Sequence, residues 1–282
     1  MVLDLSSPLA SFCWHTGCRE QRAIFWASGA LTGSLGLASI VLLSGVDAPY
    51  GRYNQASEKQ SKSRVMQALS ACDVPAKVAW VLQECPTLIA ASVCWAYGNT
   101  ECKKNLGNVF SLSCFVLHYI NRTLIYPFQL KGSKPIPLSV MLMAMSFCTV
   151  NGFIQCRSLT NYVLVPTKSW TMPVGLSLWG VGLYINSQSD RILRELRKPG
   201  ETGYKIPYGG MFEYVSGANF FGEIVEWIGY AVACGGALPS VAFALSTIFN
   251  IGPRAIAHHN WYLNKFQDEY PKKRKALIPF IL

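Results

Sequence analysis

The sequence predicts an all-α membrane protein in which seven transmembrane helices form a single domain over residues 1–282. The chain is 51% hydrophobic and only 14% charged, whereas charged residues make up ~25% of ordinary globular domains. Several apolar runs approach the ~20 residues that a helix needs to cross the hydrocarbon core of a bilayer. Basic residues are concentrated in alternate connectors between these runs. Together, these three observations predict a polytopic membrane protein.

The apolar runs define the predicted spans in order along the chain. The first run is too long for the apolar region of a cleaved signal peptide and begins too late, so it is predicted to be a membrane helix. The spans are 23–46, 75–97, 106–126, 136–155, a fifth that begins near Met172, 218–234 and 237–251. The remaining chain forms a polar head (1–22), a mobile polar loop (47–74) and a basic amphipathic tail (254–282).

The distribution of basic residues predicts the orientation of the chain. With seven spans, four segments lie on one side of the membrane: the loop 47–74, the connector before the fourth span, the connector before the sixth span and the tail. These segments hold most of the lysines and arginines. The few basic residues on the opposite side are Arg19, Arg22, Lys103, Lys104, Arg157 and Lys168. Since basic connectors stay in the cytosol, the C-terminus is predicted to be cytosolic and the N-terminus lumenal. This arrangement favours membrane lipid over nucleic acid as a partner, and we expect a monomer.

The ten cysteines predict neither a disulfide framework nor a metal site. Several of them, such as Cys94, Cys114 and Cys148, lie in apolar runs, and the sequence contains no CxxC motif. Free cysteine behaves as a small hydrophobic side chain in such positions. Cys13 and Cys18 flank a histidine but lack a second pair of ligands. We therefore expect free thiols and no bound metal.

A polar ladder runs out of the fifth span toward the cytosol. No glycine or proline interrupts residues 186–198, so one helix is predicted to continue to Pro199. At ~100° of rotation per residue, Asn186, Asp190, Arg194 and Arg197 share one face of that helix. The arginines at the cytosolic mouth could hold phosphates through charge-assisted hydrogen bonds, or they could be ordinary flanking charges.

The sixth span carries a second polar series, in which Asn219, Glu223, Glu226 and Tyr230 repeat at helical spacing. Carboxylates within hydrocarbon are costly unless a polar group pairs with them. Ionisable groups also lie in the second and third spans: Glu84, His118 and Arg122. This combination favours a buried polar site. The sequence contains neither the GxGxxG nor the GxxxxGK[ST] motif, so a nucleotide would not bind through a Rossmann turn or a P-loop.

Several long motifs are dispersed along the chain. The stretch from Asn186 to Glu223 includes Lys198-Pro-Gly-Glu-Thr-Gly-Tyr204, and the C-terminal region contains Arg254-Ala-x-x-His258-His259-x-Trp-Tyr262. Upstream motifs are Leu82-Gln83-Glu84-x-Pro86 and Leu117-His118-Tyr119-x-x-Arg122. In these motifs the chain resembles the steroid 5-alpha-reductase family, over about residues 78–282.

The resemblance implies an NADPH-dependent reductase of 3-oxo-delta-4 steroids in the endoplasmic reticulum membrane. The family has a seven-helix fold around a buried cofactor and substrate cavity. Tyr119 and Glu84 would be the catalytic residues that polarise the C3 carbonyl of the steroid while hydride adds to C5. The lipophilic steroid would enter from the bilayer. The residues that would contact NADPH are Arg122, Asn186, Asp190, Arg197, Tyr204, Asn219, Glu223, His258 and Tyr262.

Three other functions remain open from the sequence. A proton-coupled transporter would also place carboxylates in its spans. A membrane methyltransferase of the same fold would use S-adenosylmethionine. A related lipid reductase would act on enoyl-CoA or polyprenol, although the pairs Gln83-Glu84 and His118-Tyr119 favour a steroid.

Overall fold

The structure is a computed structural model that describes residues 3–4, 18–44, 71–131, 133–196, 201 and 203–282. Most of the predicted polar head and most of the predicted mobile loop 47–74 lie outside the described residues. Arg197 also lies outside them, as does the predicted end of the ladder helix before Pro199.

Helices make up most of the described chain, as predicted. They are α1 (Arg19–Leu43), α2 (Ala76–Ala96), α3 (Thr100–Lys104), α4 (Leu106–Ile120), α5 (Tyr126–Gln129), α6 (Leu138–Asn161), α7 (Thr171–Glu195), α8 (Ala218–Ala233) and α9 (Leu238–Phe266). A π-helical segment, Asn121–Ile125, joins α4 to α5, and 3-10 turns cover Gly210–Glu213 and Gln267–Glu269.

Four two-residue strands form two small pairings at the ends of helices. β1 (Leu3–Asp4) pairs in parallel with β4 (Val163–Leu164), and β2 (Asp73–Val74) pairs antiparallel with β3 (Ile136–Pro137). These strands add backbone hydrogen bonds between connectors and do not change the helical class.

Four described helical segments are long and apolar enough to cross a membrane: Arg19–Leu43, Ala76–Ala96, Leu138–Asn161 and Leu238–Glu269. They match the first, second, fourth and seventh predicted spans. The other three predicted spans fall on α4 and α8, which are short at 15 and 16 residues, and on α7, which carries the polar ladder. These helices make the chain a multi-pass membrane protein. The total of seven transmembrane helices stays a prediction.

The seventh predicted span and the start of the predicted tail form one helix. The sequence predicts that the span ends at residue 251, but α9 continues through Pro253 to Phe266. Proline removes one backbone hydrogen bond and often kinks a helix without ending it. The remaining tail folds back onto the N-terminal end of α8, where Ser216 Oγ lies 2.6 Å from both His259 Nδ1 and the Tyr270 hydroxyl.

The first helix is anchored to the end of α6 by a polar cluster. The Arg157 guanidinium donates to both carboxylate oxygens of Glu20, at 2.7 and 3.1 Å, and the Tyr162 hydroxyl donates to the same carboxylate. Burial, together with the hydrogen bond to Glu20, raises the pKa of Tyr162. The opposite side of α1 exposes Trp26, Leu37 and other large apolar side chains, as expected for a helix that faces lipid.

Helices α7 and α8 pack with their backbones in direct contact, because glycines lie at the crossing. A Cβ atom added at Gly182 would lie 2.2 Å from the Glu226 backbone nitrogen, and one added at Gly222 would lie 2.5 Å from that of Asn186. Gly175 makes a similarly close approach to Ala233. Small residues allow this close packing in membrane helices. The contact brings the two predicted polar series face to face.

Gly182→Ala is expected to lower the free energy of unfolding by about 1–3 kcal/mol, the usual cost of overpacking. The added methyl group meets backbone atoms of α8, which cannot rotate away. Chemical denaturation in detergent, followed by tryptophan fluorescence, measures the change. Gly180→Ala on the same helix is the matched control, since a Cβ atom there meets nothing within 4 Å. Equal stability of the two variants would contradict the packing described.

Candidate functional site

The α4–α5 segment places three predicted site residues inside the bundle. The Asn105 side chain caps the start of α4 by accepting a hydrogen bond from the Asn108 backbone nitrogen at 3.0 Å. His118 and Tyr119 lie on the last turn of α4 and are both buried. Arg122 lies in the π-helical segment that follows. Short π-helical segments inside α-helices are frequent at functional sites.

Arg122 is held by one carboxylate and two aromatic rings. Its NH1 group lies 3.3 Å from Asp190 Oδ2 on α7. The centre of the guanidinium lies 4.5 Å from the Trp80 ring and 4.6 Å from the Tyr126 ring. A planar guanidinium stacks on aromatic faces while its edge N–H groups form ion pairs. Arg122 is therefore fixed in position at the site where α2, the π-helical segment and α7 meet.

The ladder residues of α7 face the polar series of α8. The Asn186 side chain donates to the Asn219 backbone carbonyl at 3.0 Å. Glu223 lies one helical turn after Asn219 on α8 and is half-buried. Asn186, Asp190, Asn219, Glu223 and Arg122 thus belong to one polar region.

His118 and Glu226 form a buried hydrogen-bonded pair. Nδ1 of His118 lies 2.7 Å from Oε1 of Glu226, and the two side chains are 5% and 0% exposed. Oε2 of Glu226 has no hydrogen-bond partner among the described residues. The sequence marks both residues as ionisable groups within spans but does not pair them, because they are far apart in the chain.

Glu84 lies in a buried position on α2, between two hydrogen-bond donors. Gln83 Nε2 donates to its Oε1 at 3.2 Å, and Cys148 Sγ on α6 donates to its Oε2 at 3.3 Å. Cys148 and Tyr119 belong to the same buried cluster. The structure therefore places the two predicted catalytic residues in one neighbourhood, built from α2, α4 and α6.

The contact from Cys148 was missed by the sequence interpretation, which assigned this residue as a small hydrophobic side chain. No local pattern separates a cysteine that donates to a carboxylate from its buried neighbours. The contact depends on α2 and α6 lying side by side, with Gly152 against Thr87 at a close approach.

The predicted C-terminal site residues lie on or near the end of α9. Tyr204 makes an edge-to-face contact with Trp261, with ring centroids 4.7 Å apart, and His258 lies 5.4 Å from the Phe220 ring. Tyr262 is buried and stacked on Tyr270 at 5.3 Å. His258 is linked through Phe220 to the start of α8. Arg197 cannot be placed, since it lies outside the described residues.

A cavity of about 300 Å³ opens between the end of α5 and the outer face of α7. Its lining residues are Asn121, Tyr126, Gln129, Tyr184, Ser187, Gln188, Asp190, Arg191 and Arg194. Asp190 belongs to both this cavity and the polar region between α7 and α8. Neither Glu84 nor Tyr119 lines the cavity.

Comparisons with known proteins assign the family. The family model described as 3-oxo-5-alpha-steroid 4-dehydrogenase matches residues 134–282. The 3-oxo-5-alpha-steroid 4-dehydrogenase 1 of Bos taurus is 42% identical over 267 residues, which cover 93% of this chain and 98% of the relative. The chain belongs to the 3-oxo-5-alpha-steroid 4-dehydrogenase family.

Other members are similarly related. The Mus musculus 3-oxo-5-alpha-steroid 4-dehydrogenase 1 is 45% identical over 262 residues, covering 89% of this chain and 94% of the relative. The Homo sapiens 3-oxo-5-alpha-steroid 4-dehydrogenase 2 is 40% identical over 265 residues, covering 93% of this chain and 98% of the relative. Similarity to the 3-oxo-5-alpha-steroid 4-dehydrogenases therefore extends beyond residues 78–282, where the motifs lie.

Proposed function

We propose that this protein reduces the 4,5 double bond of 3-oxo-delta-4 steroids, of the testosterone or progesterone type, to 5-alpha-dihydro steroids with NADPH. The observation that carries this proposal is the 42% identity, over 93% of the chain, to a relative that bears the name of this activity. The arrangement of Glu84 and Tyr119 supports it, because these residues are buried in one neighbourhood of the bundle.

In the proposed mechanism, Tyr119 and Glu84 act on the C3 carbonyl of the steroid. A phenol donates a hydrogen bond to a carbonyl oxygen and stabilises the negative charge that develops there during reduction. Glu84 is held by Gln83 and Cys148, and it orients the donor or shares a proton with the same oxygen. Since both residues are buried, water does not compete for the C3 oxygen. The proton that C4 gains comes from solvent.

The polar region between α7 and α8 fits the chemistry of the cofactor. Bound NADPH supplies the hydride that reaches C5. The guanidinium of Arg122 suits a phosphate, while the amide of Asn186 and the carboxylate of Glu223 suit hydroxyl or carboxamide groups. Further contacts are proposed for Asp190, Arg197, Tyr204, Asn219, His258 and Tyr262.

The proposed membrane arrangement has seven spans in the endoplasmic reticulum, with a lumenal N-terminus and a cytosolic C-terminus. The four long apolar helices and the uneven distribution of basic residues support it. In this arrangement NADPH reaches the polar region from the cytosol, and the steroid enters the protein from the bilayer. The protein is proposed to be a monomer.

Product analysis tests the proposed function. The purified protein is incubated in detergent with NADPH and testosterone or progesterone, and the configuration at C5 of the product is identified by chromatography and mass spectrometry. We expect the 5-alpha product. Binding of S-adenosylmethionine without binding of NADPH would instead support a methyltransferase.

Arg122→Lys is expected to raise the KM for NADPH about 10-fold or more, with a smaller effect on the KM for the steroid. Lysine keeps the charge but cannot stack on Trp80 and Tyr126 while it pairs with Asp190. Steady-state kinetics with each substrate varied in turn measures the change. Lys77→Arg on α2 is the control. A change confined to the KM for the steroid would contradict the assignment of Arg122 to NADPH binding.

A further inference from the structure

A buried chain of hydrogen bonds crosses the bundle from α8 through α6 to α9. The Tyr230 hydroxyl on α8 donates to Gln155 Oε1 on α6 at 3.4 Å. Gln155 Nε2 donates to the Pro239 backbone carbonyl on α9 at 2.8 Å, and to Asn151 Oδ1, one turn earlier on α6, at 3.1 Å. Tyr230, Gln155 and Asn151 are each at most 2% exposed. None of the three belongs to the proposed catalytic pair or to the proposed cofactor contacts.

The Pro239 carbonyl fixes the direction of both amides in this chain. A carbonyl oxygen only accepts, so Gln155 must present its NH2 group to Pro239. The second N–H of that group points to Asn151, which must therefore present its oxygen. The NH2 group of Asn151 then faces away from Gln155. Its nitrogen, Nδ2, is buried and has no hydrogen-bond partner among the described residues.

The position of Asn151 on α6 places this unpaired donor beside the catalytic pair. Cys148 lies one turn earlier on the same face of the helix and donates to Glu84 Oε2 at 3.3 Å. The residue after Asn151 is Gly152, which makes a close approach to Thr87 of α2. Asn151 therefore lies where α6 packs against the helix that carries Glu84.

Tyr119 lies close to the start of the same hydrogen-bonded chain. Its ring centroid is 4.9 Å from that of Phe115, which is 5.8 Å from that of Tyr230. Tyr119, Phe115, Tyr230 and Cys148 all belong to one buried cluster. The neighbourhood of the catalytic pair is thus bounded by α2, α4 and the polar face of α6.

An amide N–H that is buried without an acceptor destabilises a protein, and polar groups at membrane depth generally mark functional sites. We infer that Asn151 is a third contact of the steroid's C3 oxygen and donates to it through Nδ2 alongside Tyr119. The inference rests on the proposed function, because it uses the same substrate and the same catalytic pair. A ketone oxygen only accepts, so it matches the two N–H groups that Asn151 presents.

A second donor suits the charge that develops on this oxygen. As hydride adds to C5, the electron pair of the C4–C5 double bond moves to C3–C4, and the carbonyl pair moves onto the oxygen. Asn151 stabilises the resulting enolate by a hydrogen bond and transfers no proton. Because its amide is already oriented by Gln155, the donor does not have to reorganise during the reaction.

The test separates the C3 oxygen from the rest of the steroid. The protein is held in detergent with saturating NADP⁺, so that no hydride is available. It is titrated with radiolabelled testosterone and with an analogue in which CH2 replaces the C3 carbonyl. We expect the wild-type protein to bind the ketone more tightly, and Asn151→Ala to reduce the ratio of the two affinities about 10-fold. Damage to the fold alone would weaken both ligands and leave the ratio unchanged.

Thr149→Val is the matched control, because Thr149 is exposed on the same helix and its hydroxyl donates to the Met145 carbonyl of that helix at 2.7 Å. An unchanged ratio in Asn151→Ala, or an equal decrease in Thr149→Val, would overturn the inference. Asn151→Leu, which keeps most of the side-chain volume, provides the test if Asn151→Ala does not fold. Failure of the proposed function is a separate result, since it appears as absent reduction of testosterone by the wild-type protein with NADPH.

Discussion

Tyr119→Phe is expected to lower steroid turnover by about 10²-fold or more, the usual effect of losing a hydrogen-bond donor to a developing oxyanion. The substitution removes one hydroxyl group from a buried side chain and leaves the ring contacts with Phe115 and Trp227 in place. The fold is therefore retained while the donor is lost. Steady-state kinetics with saturating NADPH measures kcat directly.

Glu84→Gln is expected to have an effect of the same order, because a neutral amide cannot share a proton with the substrate oxygen. Its single oxygen also cannot replace the two carboxylate oxygens that accept from Gln83 and Cys148. Tyr97→Phe is the control for loss of a phenol, since Tyr97 is 78% exposed at the end of α2. Near-normal turnover in both Tyr119→Phe and Glu84→Gln would refute the catalytic roles assigned to these residues.

His118→Ala is expected to lower the free energy of unfolding by about 3–5 kcal/mol, because it leaves the Glu226 carboxylate buried without a partner. The reason is local: Glu226 is fully buried, and Oε2 already has no partner among the described residues. Denaturation in detergent, followed by the fluorescence of tryptophans such as Trp227, measures the change.

The companion variant is His118→Ala/Glu226→Ala. Removing both members of the pair eliminates the unpaired charge, so the double variant should recover part of the stability lost in His118→Ala. If His118→Ala is as stable as the wild-type protein, the pair of His118 and Glu226 does not stabilise the bundle.

The sequence predicts features that follow from spacing along one helix. Asn186 and Asp190 share a face because they are four residues apart, and both are buried on α7. Which helices meet is not encoded in such spacing. His118 contacts Glu226 across 108 positions, and Cys148 contacts Glu84 across 64.

Two further features depended on the folded bundle. Glycines such as Gly182 and Gly222 are common in membrane helices, so their presence alone did not predict that α7 and α8 would touch backbone to backbone. The π-helical segment at Arg122 also has no sequence signature of its own. Its position matters, because it sets where the guanidinium meets Asp190, Trp80 and Tyr126.

Isotope tracing tests the central claim most directly, namely that polar side chains in this bundle hold a reduced dinucleotide against a steroid ketone. The wild-type protein is given NADPH deuterated at the transferable position together with testosterone, and the product is mapped by NMR. We predict deuterium at C5, on the alpha face, with the C4 hydrogen taken from water. A product without deuterium at C5, or no product while the cofactor is bound, would contradict the account.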